Sequence, residues 1–96
     1  MLISKQRAVL RGMANNLETI FQVGKGGISD TLVAQTADAL RARELIKLRV
    51  LENSGYTARE AAEALAEQTG AEVVQVIGSR FVLYRRNPKK PVIELK

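Results

Sequence analysis

The chain has 96 residues, with 15 Lys+Arg against 10 Asp+Glu, a formal net charge of +5 and 46% hydrophobic residues. That length and composition fit one folded domain, and the basic balance points to a polyanionic partner. The absence of cysteine and histidine excludes disulfides, thiolate metal sites and imidazole general bases.

Apolar runs are only a few residues long, far short of the roughly 20 needed to span a bilayer. Lys5 interrupts the N-terminal stretch MLISKQR, which leaves no room for the apolar centre of a secretory signal. The expectation is a soluble cytoplasmic monomer with no membrane contact, cofactor, metal or small-molecule substrate.

The first segment, Ser4 to about Met13, reads as a helix. Ser4 is the candidate N-cap, Val9, Leu10, Met13 and Leu17 form the apolar side, and Arg7 and Arg11 share another stripe. Gly12 and Asn15-Asn16 supply the stop. Thr19 to Val23 is β-branched and aromatic and reads as a strand. Gly24-Lys25-Gly26-Gly27 ends it. A second helix then opens at Ser29 or Asp30, burying Leu32, Val33, Thr36 and Leu40.

Ile46 to Leu51 alternates, with Ile46, Leu48 and Val50 on one side and Lys47, Arg49 and Leu51 on the other. One face of this strand is apolar and the other largely cationic. Thr57-Ala58-Arg59-Glu60 fits a capping box. The helix behind it runs to Thr69 and stops at Gly70. It turns Ala58, Ala61, Ala62 and Leu65 inward and Glu60, Glu63 and Glu67 outward. Glu72–Ile77 and Arg80–Arg86 read as a hairpin around Gly78-Ser79. The basic tail 87–96, broken by Pro88 and Pro91, is either a short edge strand at 92–95 or loose.

The order αβαβαββ predicts a two-layer α/β sandwich built on a four-stranded mixed sheet, a single domain over residues 1–96. Charge is segregated along it. Both termini are basic and the third helix is acidic, as expected of a molecule with a binding side and a back.

The Gly24–Gly27 turn sits between a strand and a helix start. Glycines allow close backbone approach, the helix offers unpaired N–H groups, and Lys25 adds a full charge. As Gly-x-x-Gly it matches the backbone-gripping loop of KH domains. A purely structural turn is the other reading. The nucleotide-hydrolase P-loop and the dinucleotide fingerprint are both absent.

Four stretches, SKQRAVLRGMA, VGKGGIS (23–29), ELIKLRV (44–50) and VQVIGSRFVLYR (74–85), together resemble the YhbY family. This is the stand-alone bacterial form of the CRM (chloroplast RNA splicing and ribosome maturation) domain. The resemblance spans essentially the whole chain, in order. It implies a non-enzymatic RNA-binding protein with a fold similar to the C-terminal domain of translation initiation factor three. It also implies association with precursors of the large ribosomal subunit. The family's Gly-x-x-Gly falls on Gly24 to Gly27, and its hairpin motif on Gly78, Leu83, Tyr84 and Arg85. Residues 79 and 80 read Ser-Arg where relatives carry Lys-Thr, so the positive charge falls one position later.

The expected partner is therefore structured ribosomal RNA. The Gly24, Lys25, Gly26, Gly27 loop would grip phosphates, with Lys47, Arg49, Arg7, Arg11, Arg80, Arg85 and Arg86 extending the track. Phosphate contacts position a protein without reading sequence. At 4% aromatics the chain does not suggest a base-stacking platform. The alternative is a protein–protein assembly adaptor without direct RNA contact. An enzyme is the least supported class, since its carboxylates look like solvated helix surface.

Overall fold

The structure, a computed structural model, describes residues 2–95. In chain order it contains α1 (Ser4–Ala14), β1 (Thr19–Val23), α2 (Asp30–Arg43), β2 (Leu45–Val50), a 3-10 turn (Glu52–Ser54), α3 (Ala58–Thr69), β3 (Glu72–Ile77) and β4 (Arg80–Tyr84). The four strands form one sheet in the order β1-β2-β4-β3. β1 and β2 are parallel, and β4 runs antiparallel to both β2 and β3. Three strands thus point the same way. Their carboxyl ends gather at one end of the sheet with the Gly78-Ser79 turn.

Local chemistry accounts for most element boundaries. Ser29 caps α2, its Oγ accepting from the Leu32 N–H at 3.1 Å. Thr57 and Glu60 complete the capping box of α3: the Glu60 N–H donates to Thr57 Oγ1 at 3.1 Å, and the Thr57 N–H to Glu60 Oε1 at 2.8 Å. Gly70 ends α3 in the left-handed region at φ 72.

α1 departs from expectation twice. Ile3, not Ser4, occupies the N-cap, and its N–H donates to Gln6 Oε1 at 3.1 Å. Val9 and Met13, expected inside, are 47% and 41% exposed. α1 meets the sheet along a narrower stripe, Leu10 and Ala14, one residue per turn.

The core has two parts. On one face, α2 and α3 pack Leu32, Leu40, Ala61, Ala62 and Leu65 against Val23, Ile46, Leu48, Phe81 and Leu83. On the other, α1 packs Leu10 and Ala14 against Leu45, Val74, Val82 and Tyr84. The alanines of α3 let its backbone lie close to the sheet. Deleting the fully buried Phe81 ring would cost about 3–5 kcal/mol.

α1 covers only part of its face. Across the sheet, Gln22 pairs with Arg49, Arg49 with Arg80, and Arg80 with Ile77. All four side chains are exposed. β4 ends at Tyr84, two residues earlier than expected. Beyond it, the Arg85 N–H donates to the Glu44 carbonyl at 2.9 Å.

Neither reading of the tail describes it. Residues 85–95 form no strand, yet the tail is tied to a buried Glu44. That carboxylate accepts from the N–H groups of Asn87 (2.6 Å), Val92 (2.7 Å) and Ile93 (2.6 Å). Ile93 and Leu95 then pack against the α1 cluster.

Candidate nucleic-acid interface

The glycine turn closes by a hydrogen bond, the Gly27 N–H donating to the Gly24 carbonyl at 2.9 Å. Gly27 has φ +63, and a Cβ there would lie 3.1 Å from the Tyr56 ring. Glycine is required at this position both for the backbone and for the aromatic lid upon it. Gly26 differs: it has no left-handed φ, and a Cβ would meet nothing within 4 Å. Lys25, between Gly24 and Gly26, is exposed.

Two further bonds hold neighbouring loops at this end. The Leu51 N–H donates to the Val23 carbonyl at 2.9 Å, and the Val50 N–H to the Ser79 carbonyl at 2.7 Å. Tyr56 arrives on the loop after β2, its N–H donating to Ser54 Oγ at 3.1 Å. The site therefore lies outside the carboxyl ends of the two parallel strands, where open α/β sheets commonly bind ligands.

The α2 terminus contributes less than its position suggests. Ser29 already satisfies the Leu32 N–H, and Asp30 places a carboxylate in the first turn. That charge offsets the positive end of the helix. Attraction for an anion therefore rests mainly on Lys25 and the adjacent sheet face.

Strand register decides what that face is. Arg49 and Arg80 are direct cross-strand partners. Lys47, half-buried, lies two residues before Arg49 on the same side. Like charges directly opposite each other destabilise a strand pair. Lys25, Lys47, Arg49 and Arg80 take part in none of the ion pairs between described residues, which are Arg41–Asp38 and Arg59–Glu63. The arrangement is a patch of cations, none of them in an ion pair with a described residue, beside a turn that admits close backbone approach.

A model of the CRS1 / YhbY (CRM) domain matches residues 2–85. The chain belongs to this family. It is 46% identical over 95 residues to a Bacillus subtilis protein named as a probable RNA-binding protein, YqeI, covering 99% of both chains. A Haemophilus influenzae protein named as RNA-binding is 34% identical over 84 residues, covering 88% of this chain and 85% of that one. The solution structure of a hypothetical Staphylococcus aureus protein superposes with a TM-score of 0.82 at 48% identity, covering 100% of both chains.

Within this CRM domain the expected site residues separate. Gly24, Lys25, Gly26, Gly27, Arg49 and Arg80 share one end of the sheet, with Lys47 next on the same face. Arg7 is half-buried, and its guanidinium donates to the Val73 carbonyl on the β3 edge, a bond that ties α1 to the sheet. Arg11 is exposed in the last turn of α1. Arg85 and Arg86 leave β4 at the opposite end, about 17 Å from Arg80 at strand rise.

Three residues that matter here gave little warning in the sequence. Tyr56 is placed on Gly27 by a loop 29 positions away, a pairing no local pattern encodes. Ile77, 61% exposed beside Arg80, reads from alternation alone as an ordinary strand residue. Glu44 adopts φ 65, which nothing in its neighbours signals.

Proposed function

We propose that this CRM domain binds structured RNA non-enzymatically, and that its target is ribosomal RNA in precursors of the large subunit. The relatives named as RNA-binding proteins support the first part. The Arg49–Arg80 pair carries the reading within this chain. Two arginines placed opposite each other on an open sheet face cost stability in the free protein, and an RNA backbone repays that cost. Lys25 and the Gly24–Gly27 backbone add phosphate contacts at the same end. Contacts of this kind favour RNA shape over base sequence.

Titration with a structured large-subunit ribosomal RNA fragment at several salt concentrations tests this. Gly26→Asp suits the purpose because the position has room for a side chain and the substitution puts a negative charge where phosphate should sit. Wild type is expected to show a steep salt dependence. Lys25→Ala should lower the salt slope by about 1, and Gly26→Asp should weaken binding further while the fold stays intact. Equal binding by all three folded proteins would refute the loop's role. An unrelated structured RNA bound as tightly would refute the ribosomal target.

A further inference from the structure

The opposite end of the sheet carries a second cationic cluster. Arg41, Arg85, Arg86, Lys89 and Lys90 line a cleft of about 480 Å³ with Leu40, Asn87 and Pro88. The loop that forms it is built rather than loose. The Asn87 N–H donates to Glu44 Oε2 at 2.6 Å, and its side-chain amide to the Arg41 carbonyl at 3.1 Å. Asn87 Oδ1 accepts from the N–H groups of Lys89 and Lys90 at 3.1 and 3.3 Å. The two lysines are thereby held beside the last turn of α2.

The acids at this end act on part of the cluster. The Glu44 charge is felt by Arg86, and Glu72 and Glu94 line a neighbouring cleft with Arg85 and Arg86, but no acid lines the cleft that holds Lys89 and Lys90. Glu44 is fully buried, and its two oxygens take backbone N–H groups rather than a cationic side chain. Asp38 pairs with Arg41 alone, at 2.9 Å, both being exposed. Arg85, Arg86, Lys89 and Lys90 have no ion pair among the described residues. Asn87, Lys89 and Lys90 also lie beyond residue 85, where the family model ends.

The two cationic ends are not one continuous sheet surface. Between Arg80 and Arg85 on β4, Val82 and Tyr84 are covered by α1, and Phe81 and Leu83 by α2 and α3. We propose that the 85–90 cleft is a second RNA-phosphate site, so that one molecule holds two RNA segments at its opposite ends. This rests on the RNA-binding reading of the Arg49–Arg80 end and extends it. A protein with two separated phosphate sites brings two RNA segments together, which a single loop contact cannot do.

Sedimentation equilibrium of the full chain with excess short RNA hairpin tests the proposal, since it reads complex mass directly. The expected complex is one protein with two hairpins at low salt. Lys89→Ala/Lys90→Ala should reduce this to one hairpin per protein, as should Arg49→Ala/Arg80→Ala. A wild-type complex with only one hairpin overturns the second site and leaves the Arg49–Arg80 reading standing. Two hairpins bound by the lysine variant as by wild type overturn the assignment to this cleft. No hairpin bound at any salt overturns both readings.

Discussion

The two ends of the sheet handle charge in opposite ways. At the Gly24–Gly27 end, Arg49 and Arg80 stand exposed and face each other without an acid between them. At the other end, one carboxylate, Glu44, is fully buried and satisfied by three backbone donors. A buried charge whose two oxygens both accept hydrogen bonds secures structure. An exposed charge with only a like neighbour does the reverse, and the use proposed for it lies outside the molecule. Burial and partner, rather than residue type, separate the stabilising charge from the one proposed to bind RNA.

Removing the buried charge should have the largest effect. Glu44→Ala leaves three backbone N–H groups without their acceptor and should cost about 3 kcal/mol or more. For a domain of this size that lowers Tm by roughly 12–24 °C, readable in a thermal melt. Burial alone pushes the Glu44 carboxyl up. The N–H bonds from Asn87, Ile93 and Val92, with the Arg86 charge, outweigh it and leave the group below its ordinary value. The unfolded chain therefore binds this proton more readily than the folded one. The stabilisation is complete above about pH 4.3, the unfolded value, and is lost as pH falls through the lower folded value. Wild type should lose stability over that acid range, and Glu44→Gln should show a smaller acid dependence.

The glycine turn sharpens the comparison, because two of its glycines do different work. Gly27→Ala forces a side chain into the left-handed region and against the Tyr56 ring. It should cost about 1–2 kcal/mol by denaturant unfolding. Gly26→Ala, with open space and an ordinary φ, should be neutral or slightly stabilising. Equal costs at both positions would contradict the assigned role of Gly27.

A smaller and opposite effect is expected at Asp30. Asp30→Asn removes the acid from the first turn of α2 and should destabilise the protein by about 0.3–1 kcal/mol. It should also tighten RNA binding at low salt, since the repulsive charge beside the turn is gone. A filter-binding series from low to moderate salt would show the gain shrink as screening grows.

Features encoded within a few neighbouring residues were legible in the sequence. β1 occupies the expected Thr19–Val23, and the Thr57–Glu60 capping box forms as read. The α/β sandwich on a four-stranded mixed sheet followed from element order, and the family from motifs in register. The expected two layers are three, because α1 packs on the sheet face opposite α2 and α3. What escaped was non-local. The burial of α1 depends on which stripe the sheet accepts, so Val9 and Met13 fell on the wrong side of the expectation. The tail's anchorage depends on Glu44, which lies 43 to 49 positions from its hydrogen-bond donors. Lys47 and Arg49 were visible as one cationic strand face. Their alignment with Arg80 required β4 to insert beside β2, which chain order alone does not specify.

The most direct test pairs two readouts on Arg80→Ala: stability by denaturant unfolding, and affinity for structured ribosomal RNA. Relief of the like-charge pair with Arg49 should leave stability unchanged or raise it by about 0.2–1 kcal/mol. RNA affinity should fall on the order of tenfold at low salt, with a shallower salt slope. A variant that loses stability while keeping its RNA affinity would contradict the account, because Arg80 would then be structural and the open sheet face would not be the binding surface.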